Sequence, residues 1–196
     1  MRPRVKGLVE GYWDMSTKKE RKSETKVNIP NGITVELNDT ELAIKGPLGT
    51  NAKSFVRIPV SLSLVDDDIV IKATGHRKFD LSVMNTARSL IKNMIHGATK
   101  GFSYRLKMVY AHFPMSVKIT GDKVLIENFY GERSPRVAKI MGECKLKTDG
   151  DDVVVDGISL EDVGQTAANI ERATKVKKKD QRVFLDGIYV YEKTKR

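Results

Sequence analysis

A single cysteine, Cys144, and a single tryptophan, Trp13, stand among 196 residues, with three histidines and six prolines. One thiol cannot close an intrachain disulfide, and without a second cysteine or a closely spaced histidine pair there is no zinc-ligand set. Cys144, in MGECKLK, therefore reads as a small apolar strand residue. His76, His96 and His112 are scattered, with no nucleophile at a recognisable spacing, so catalysis has no foothold. Asp66-Asp67-Asp68 lacks the glycine and glutamate spacing of an EF-hand and reads as a turn. No catalytic residue, metal site or cofactor is expected. No run approaches the roughly 18 apolar residues of a spanning helix, and the opening MRPRVKGLVEGYWDMS has no adequate apolar stretch for a secretion signal. The expectation is a soluble, intracellular protein with no membrane partner.

Positive charge, by contrast, is abundant. Lys and Arg number 35 against 25 Asp and Glu, a net charge of +10. An excess of that size attracts polyanions, because cations that neutralise phosphates release condensed counterions. With 40% hydrophobic and 31% charged residues the chain has the composition of a globular protein.

Residues 1–28 hold eight basic residues and four acids with few apolar anchors, the composition of an extended arm; Met15 could be a second start. From Ile33 the pattern changes. Ile33, Val35 and Leu37 alternate with polar residues, Asn38-Asp39-Thr40 breaks the run, and Leu42 and Ile44 resume it, which predicts a hairpin with one buried face. Leu62 and Leu64, then Ile69 and Ile71, repeat the device around the triple aspartate. Across 80–98, Val83, Ala87, Leu90, Ile91, Met94, Ile95 and Ala98 share one helical face, with Gly97 or Gly101 as a stop, and Met84 and Met94 are core packing. FSYRLKMVYAHFP is then expected to close the unit at Pro114. The second half repeats the first at an offset of 82: Val117 on Val35, Ile119 on Leu37, Val124 on Leu42, Ile126 on Ile44. Its helix opens at Ser159 with Asp162 three residues on, a capping-box pattern, and buries Val163, Ala167, Ile170 and Thr174. RVFLDGIYV is expected as its closing strand, matching YRLKMVY, with Phe184, Leu185, Ile188 and Val190 in the core. The predicted fold class is α+β: two tandem homologous domains, 29–114 and 115–196, each an antiparallel sheet with a helix packed on one face.

Lys175, Lys177, Lys178, Lys179 and Arg182 crowd a segment with one acid, Asp180, just after the second helix. A helix C-terminus favours cations, but that accounts for one or two charges, not five. A partner's phosphates would relieve the rest, and the following apolar strand would hold the loop rigid. ENFYGERSPRVAK adds Arg133 and Arg136, with Phe129 and Tyr130 expected as core beside a turn. Gly46-Pro47-Leu48-Gly49 has the GxxG spacing of a KH domain, but follows a predicted strand and reads as a turn. A free-standing KH-like RNA-binding regulator is the alternative; it requires helices on both sides of that tetrapeptide. A nuclease would need clustered carboxylates or a metal site.

KDQRVFLDGIYVYEK, NMIHGATKGFSYRLKMVYAHFP and ENFYGER, together with the duplication, closely resemble the large-subunit ribosomal protein L-six family in its archaeal and eukaryotic branch, where the eukaryotic member is called L-nine. The resemblance covers about residues 27–193; the preceding arm departs from it. It implies a non-enzymatic constituent of the large ribosomal subunit in the cytoplasm. Its partners would be large-subunit ribosomal RNA, near the sarcin-ricin loop and the base of the factor-binding stalk, and neighbouring ribosomal proteins, with no cofactor and no small-molecule substrate. The RNA-binding role would fall on Lys175, Lys177, Lys178, Lys179 and Arg182, and further on Lys193, Arg133 and Arg136.

Overall fold

In the computed structural model, residues 23–66, 68–177, 179–180 and 182–195 are described. The first twenty-two residues, which make up most of the expected arm, lie outside them. Alternating side chains shape the first hairpin: β2 (Thr34–Asn38) and β3 (Glu41–Gly46) pair with Val35 opposite Ile44 and Leu37 opposite Leu42. Asp39 makes the turn at φ 48°, a left-handed conformation that Asp tolerates better than most residues. β4 (Gly49–Ser54) completes this antiparallel sheet on the other side of β3. A second sheet forms from β5 (Val60–Val65) and β6 (Asp68–Ala73), with β1 (Glu24–Asn28) on the free edge of β6. Ile69 and Ile71 of β6, Leu42 and Ile44 of β3, and Ala87, Ile91, Met94 and Ala98 of α1 (Lys78–Thr99) bury one continuous core. Gly101, at φ 80°, stops α1, its N–H returning to the His96 carbonyl at 3.2 Å.

The second half repeats this plan. β8 (Ser116–Thr120) and β9 (Lys123–Glu127) pair with Val117 opposite Ile126 and Ile119 opposite Val124. Each of these residues lies 82 positions beyond its counterpart in β2 and β3, so the duplicated pattern is a duplicated register. β10 (Arg136–Lys139) adds to β9 as β4 does to β3. β11 (Lys145–Asp149) and β12 (Asp152–Gly157) form the next hairpin, and α2 (Leu160–Ala173) packs over the sheets. Ser159 caps α2 as its sequence predicts, Oγ accepting from the Asp162 N–H at 3.3 Å.

Two strands sit elsewhere than expected. β1 falls within the segment whose composition reads as an arm: Val27 is buried against the first core, but a five-residue strand with one buried side chain gives no periodicity to detect. β7 (Phe102–Val109), expected to close the first unit, is instead a central strand of a four-stranded sheet in the second half, in the order β11-β12-β7-β13, where β13 is Gly187–Lys195. Phe102 and Leu106 are buried there with Val153, Val155 and Ile188. β7 and β13 are therefore neighbours in one sheet rather than equivalents in two. The counterpart of β7 is β1, which flanks β6 as β7 flanks β12.

Gly46-Pro47-Leu48-Gly49 is the turn between β3 and β4, with Gly46 opposite Gly49, so strands and not helices flank it. A Cβ on Gly46 would stand 2.6 Å from the Ala98 carbonyl, while the Leu48 N–H donates to that same oxygen at 3.2 Å. The glycine serves close docking of the turn on the end of α1. The helix–loop–helix clamp of a KH domain is absent there.

Candidate nucleic-acid interface

The basic segment leaves α2 at Thr174, a buried residue whose Oγ1 turns back to the helix carbonyls and accepts the N–H of Ile188 at 3.0 Å. One hydroxyl thus fixes both the helix end and the start of β13. From the other side Arg136 reaches across: its Nη1 donates to the carbonyls of Ala173 at 2.9 Å and Lys175 at 3.2 Å. Nε and Nη2 of the same guanidinium pair with Glu132 at 2.9 and 2.6 Å, and its carbon lies 4.2 Å from the centroid of the buried Phe129 ring. Hydrogen bonding to Arg136 holds the Glu132 carboxyl below its usual range. A guanidinium supplies just such a planar fork of donors. Arg136, one of the expected RNA contacts, is thus a strut that anchors the loop.

Within the loop the lone acid has a local task. Asp180 Oδ1 accepts the Arg182 N–H at 3.0 Å, and its carbonyl accepts from Val183 and Phe184 at 3.2 and 3.0 Å, an Asx-type turn. Lys179 Nζ lies over both neighbouring rings, 4.5 Å from the centroid of Tyr130 and 4.7 Å from that of Phe184. Lys175, Lys177 and Arg182 are exposed and make no ion pair among the described residues. Lys178 lies outside the described residues. Arg133 is exposed on the neighbouring connection, and Lys193 on β13 stands 5.6 Å from the Tyr104 ring centroid. The structure brings Lys179 and the Arg136 strut together around Phe129, Tyr130 and Phe184. Lys193 belongs to the strand beyond them.

Behind the loop lies a buried group that pattern reading does not single out. Asp186, only 3% exposed, accepts from the N–H groups of Ala111 and His112 and pairs its Oδ2 with His112 Nδ1 at 2.6 Å. An ionised carboxylate is acceptor only, so Nδ1 carries the proton. The His112 ring stacks on Phe184 at 5.2 Å and approaches Tyr130 at 5.9 Å. Burial by itself would raise the Asp186 carboxyl; these hydrogen bonds outweigh it and pull the pKa from 3.8 down to about 2. Burial first, then its interaction with Asp186, pushes Tyr130 up to about 12. The partners are some 74 residues apart in sequence, and the only local signal is the Asp-Gly pair itself. A depressed carboxyl pKa contributes stability that is fully present above the unfolded value and is lost as pH falls through the folded one. Wild type should therefore lose on the order of 2 kcal/mol between about pH 5 and pH 2 that Asp186→Asn does not lose. Parallel urea titrations of the two proteins across that window check this.

The core strand at this end is shorter than its apolar run suggests. Ile188 is fully buried and Phe184 and Val190 are half-buried, but Leu185, expected in the core, is 57% exposed and Val183 64%. β13 starts only at Gly187, and the residues before it belong to the Asp180 turn, where alternation no longer decides which side chains are covered. Phe129 is buried and Tyr130 half-buried, as expected for rings beside a turn.

A family model described as ribosomal protein L6 matches residues 113–187, a span that includes Phe129, Tyr130, Arg136, α2, the basic loop and Asp186. Large ribosomal subunit protein uL6 of Methanobrevibacter smithii is 46% identical over 167 residues, covering 85% of this chain and 94% of its own length. The chain belongs to the uL6 family. Its counterparts in Methanosarcina mazei and Ignicoccus hospitalis, also named large ribosomal subunit protein uL6, are 44% and 42% identical, covering 85% and 84% of this chain and 95% and 91% of their own lengths. The uL6 family is one of ribosomal proteins, not of enzymes.

Proposed function

We propose that this uL6-family chain is a structural constituent of the large ribosomal subunit that grips large-subunit ribosomal RNA with the 175–182 loop. The site would lie near the sarcin-ricin loop, at the base of the factor-binding stalk, on ribosomes in the cytoplasm. The observation that carries the reading is a loop fixed at both ends, by Thr174 and Arg136 on one side and Asp186 on the other, that presents exposed cations without intramolecular partners among the described residues. With the loop backbone already fixed, meeting a phosphate orders the side chains alone and not the chain that carries them. Lys175, Lys177, Lys178 and Arg182 would make the phosphate contacts, with Lys179 seated on its rings, Arg133 and Lys193 at the margins, and Arg136 in support. The second unit, counted from β7, would supply this surface. The first unit and the basic residues before β1 would meet neighbouring RNA and ribosomal proteins. A tagged full-length chain should sediment with large subunits in a sucrose gradient; a chain that stays at the top of the gradient with free protein would overturn the reading.

A further inference from the structure

Beside the basic loop, between the end of α2 and the start of β13, lies a recess of about 670 Å³, within the roughly 300–1,000 Å³ of ligand clefts. Its walls include Phe184 and Tyr189, its floor Val176 and Ala168, and its rim Arg172 and Lys175, both exposed. Tyr189 is held in an unusual way. Its ring lies back along its own strand over Gly187, where a Cβ would come within 2.9 Å of the ring, and its hydroxyl donates to the Leu185 carbonyl at 3.2 Å. A glycine beneath and a hydrogen bond at the tip fix the ring as a plate, yet it remains 42% exposed. A fixed aromatic plate bordering a half-apolar recess, with cations at the rim, has the attributes of a stacking site for a nucleobase.

We propose that this recess takes one unpaired base of the bound RNA, stacked on Tyr189, with its phosphate on Lys175 and Arg172. Glu171, the carboxylate on the wall, supplies an acceptor for an exocyclic amino group. The inference rests on the RNA-binding reading above and adds a single-stranded element to it.

Deproteinised large-subunit RNA, probed with hydroxyl radicals for its backbone and dimethyl sulfate for its unpaired bases, tests both layers separately. With the wild-type full chain, a backbone footprint and protection of an unpaired adenine or cytosine within it are expected. Tyr189→Phe, which keeps the ring, should retain the protection. Tyr189→Ala should keep the backbone footprint, lose the base protection and bind about 5- to 150-fold more weakly, the equivalent of one base–ring stack. Ala168→Trp, which fills the recess while leaving Tyr189 and the rim cations in place, should lose the protection as well. Equal base reactivity with wild type, Tyr189→Ala and Ala168→Trp overturns the stacking site while the RNA-binding reading stands. Absence of any backbone footprint with wild type overturns both.

Discussion

Ile188→Ala is expected to destabilise the protein by about 2–5 kcal/mol, the range for truncating a buried isoleucine, and so to lower its melting temperature by about 4–20 °C at this chain length. Leu185→Ala, three residues earlier and equally apolar, should stay within about 0.5 kcal/mol of wild type. Ile188 is fully buried on β13, opposite Met108 of β7, and packs in the core that Leu106, Val153, Val155 and Ile170 share. Its truncation leaves a cavity at the junction of sheet and helix. Its backbone N–H also meets Thr174, so collapse around the cavity would pull on the loop's anchor. Leu185 lies in the turn after Asp180, mostly exposed, and contributes its carbonyl to Tyr189 rather than its side chain to the core. Thermal and urea denaturation of both variants decide the matter. Equal sensitivity of the two positions would place Leu185 in the core and the turn geometry in error.

That pair of residues also marks where the sequence stops being readable. Alternation is a local signal, and it suffices wherever a strand has one buried face: the hairpins of β2 with β3 and β8 with β9 share a register because the same four positions are apolar in both. The faces of α1 and α2, and the Ser159 cap, follow from the same kind of short-range pattern. A strand's partner is not local. Nothing in FSYRLKMV says that both of its edges will be taken by β12 and β13, so sequence order alone assigns β7 to the wrong unit. Nor does an arginine's spacing say whether its guanidinium is free. Arg136 meets carbonyls 37 and 39 residues away and is used up there, whereas Lys175, Lys177 and Arg182 in the same cluster keep their charges at the surface. Asp186 escapes notice for a similar reason, since its donors come from a segment 74 and 75 residues upstream.

The 175–182 loop as a phosphate-binding surface is tested most directly by the salt dependence of RNA affinity. Lys175, Lys177 and Arg182 are exposed, carry no cap, turn or ring contact through their side chains among the described residues, and can be replaced together by alanine without touching Arg136, Asp180 or Lys179. The triple variant should melt like wild type, because exposed substitutions away from caps and turns shift stability by about 0.5 kcal/mol or less each. On a duplex, every phosphate that a cation no longer neutralises takes roughly 0.9 off the slope of log affinity against log salt, so three such phosphates take off about two to three units. The measurement is that slope, for wild type and triple variant on large-subunit ribosomal RNA, from about 0.05 to 0.2 M monovalent salt. The expected result is a folded variant with weaker binding and a slope flatter by about two to three; an unchanged slope and affinity in a folded variant would show that these cations are a solvated face and that the RNA is held elsewhere.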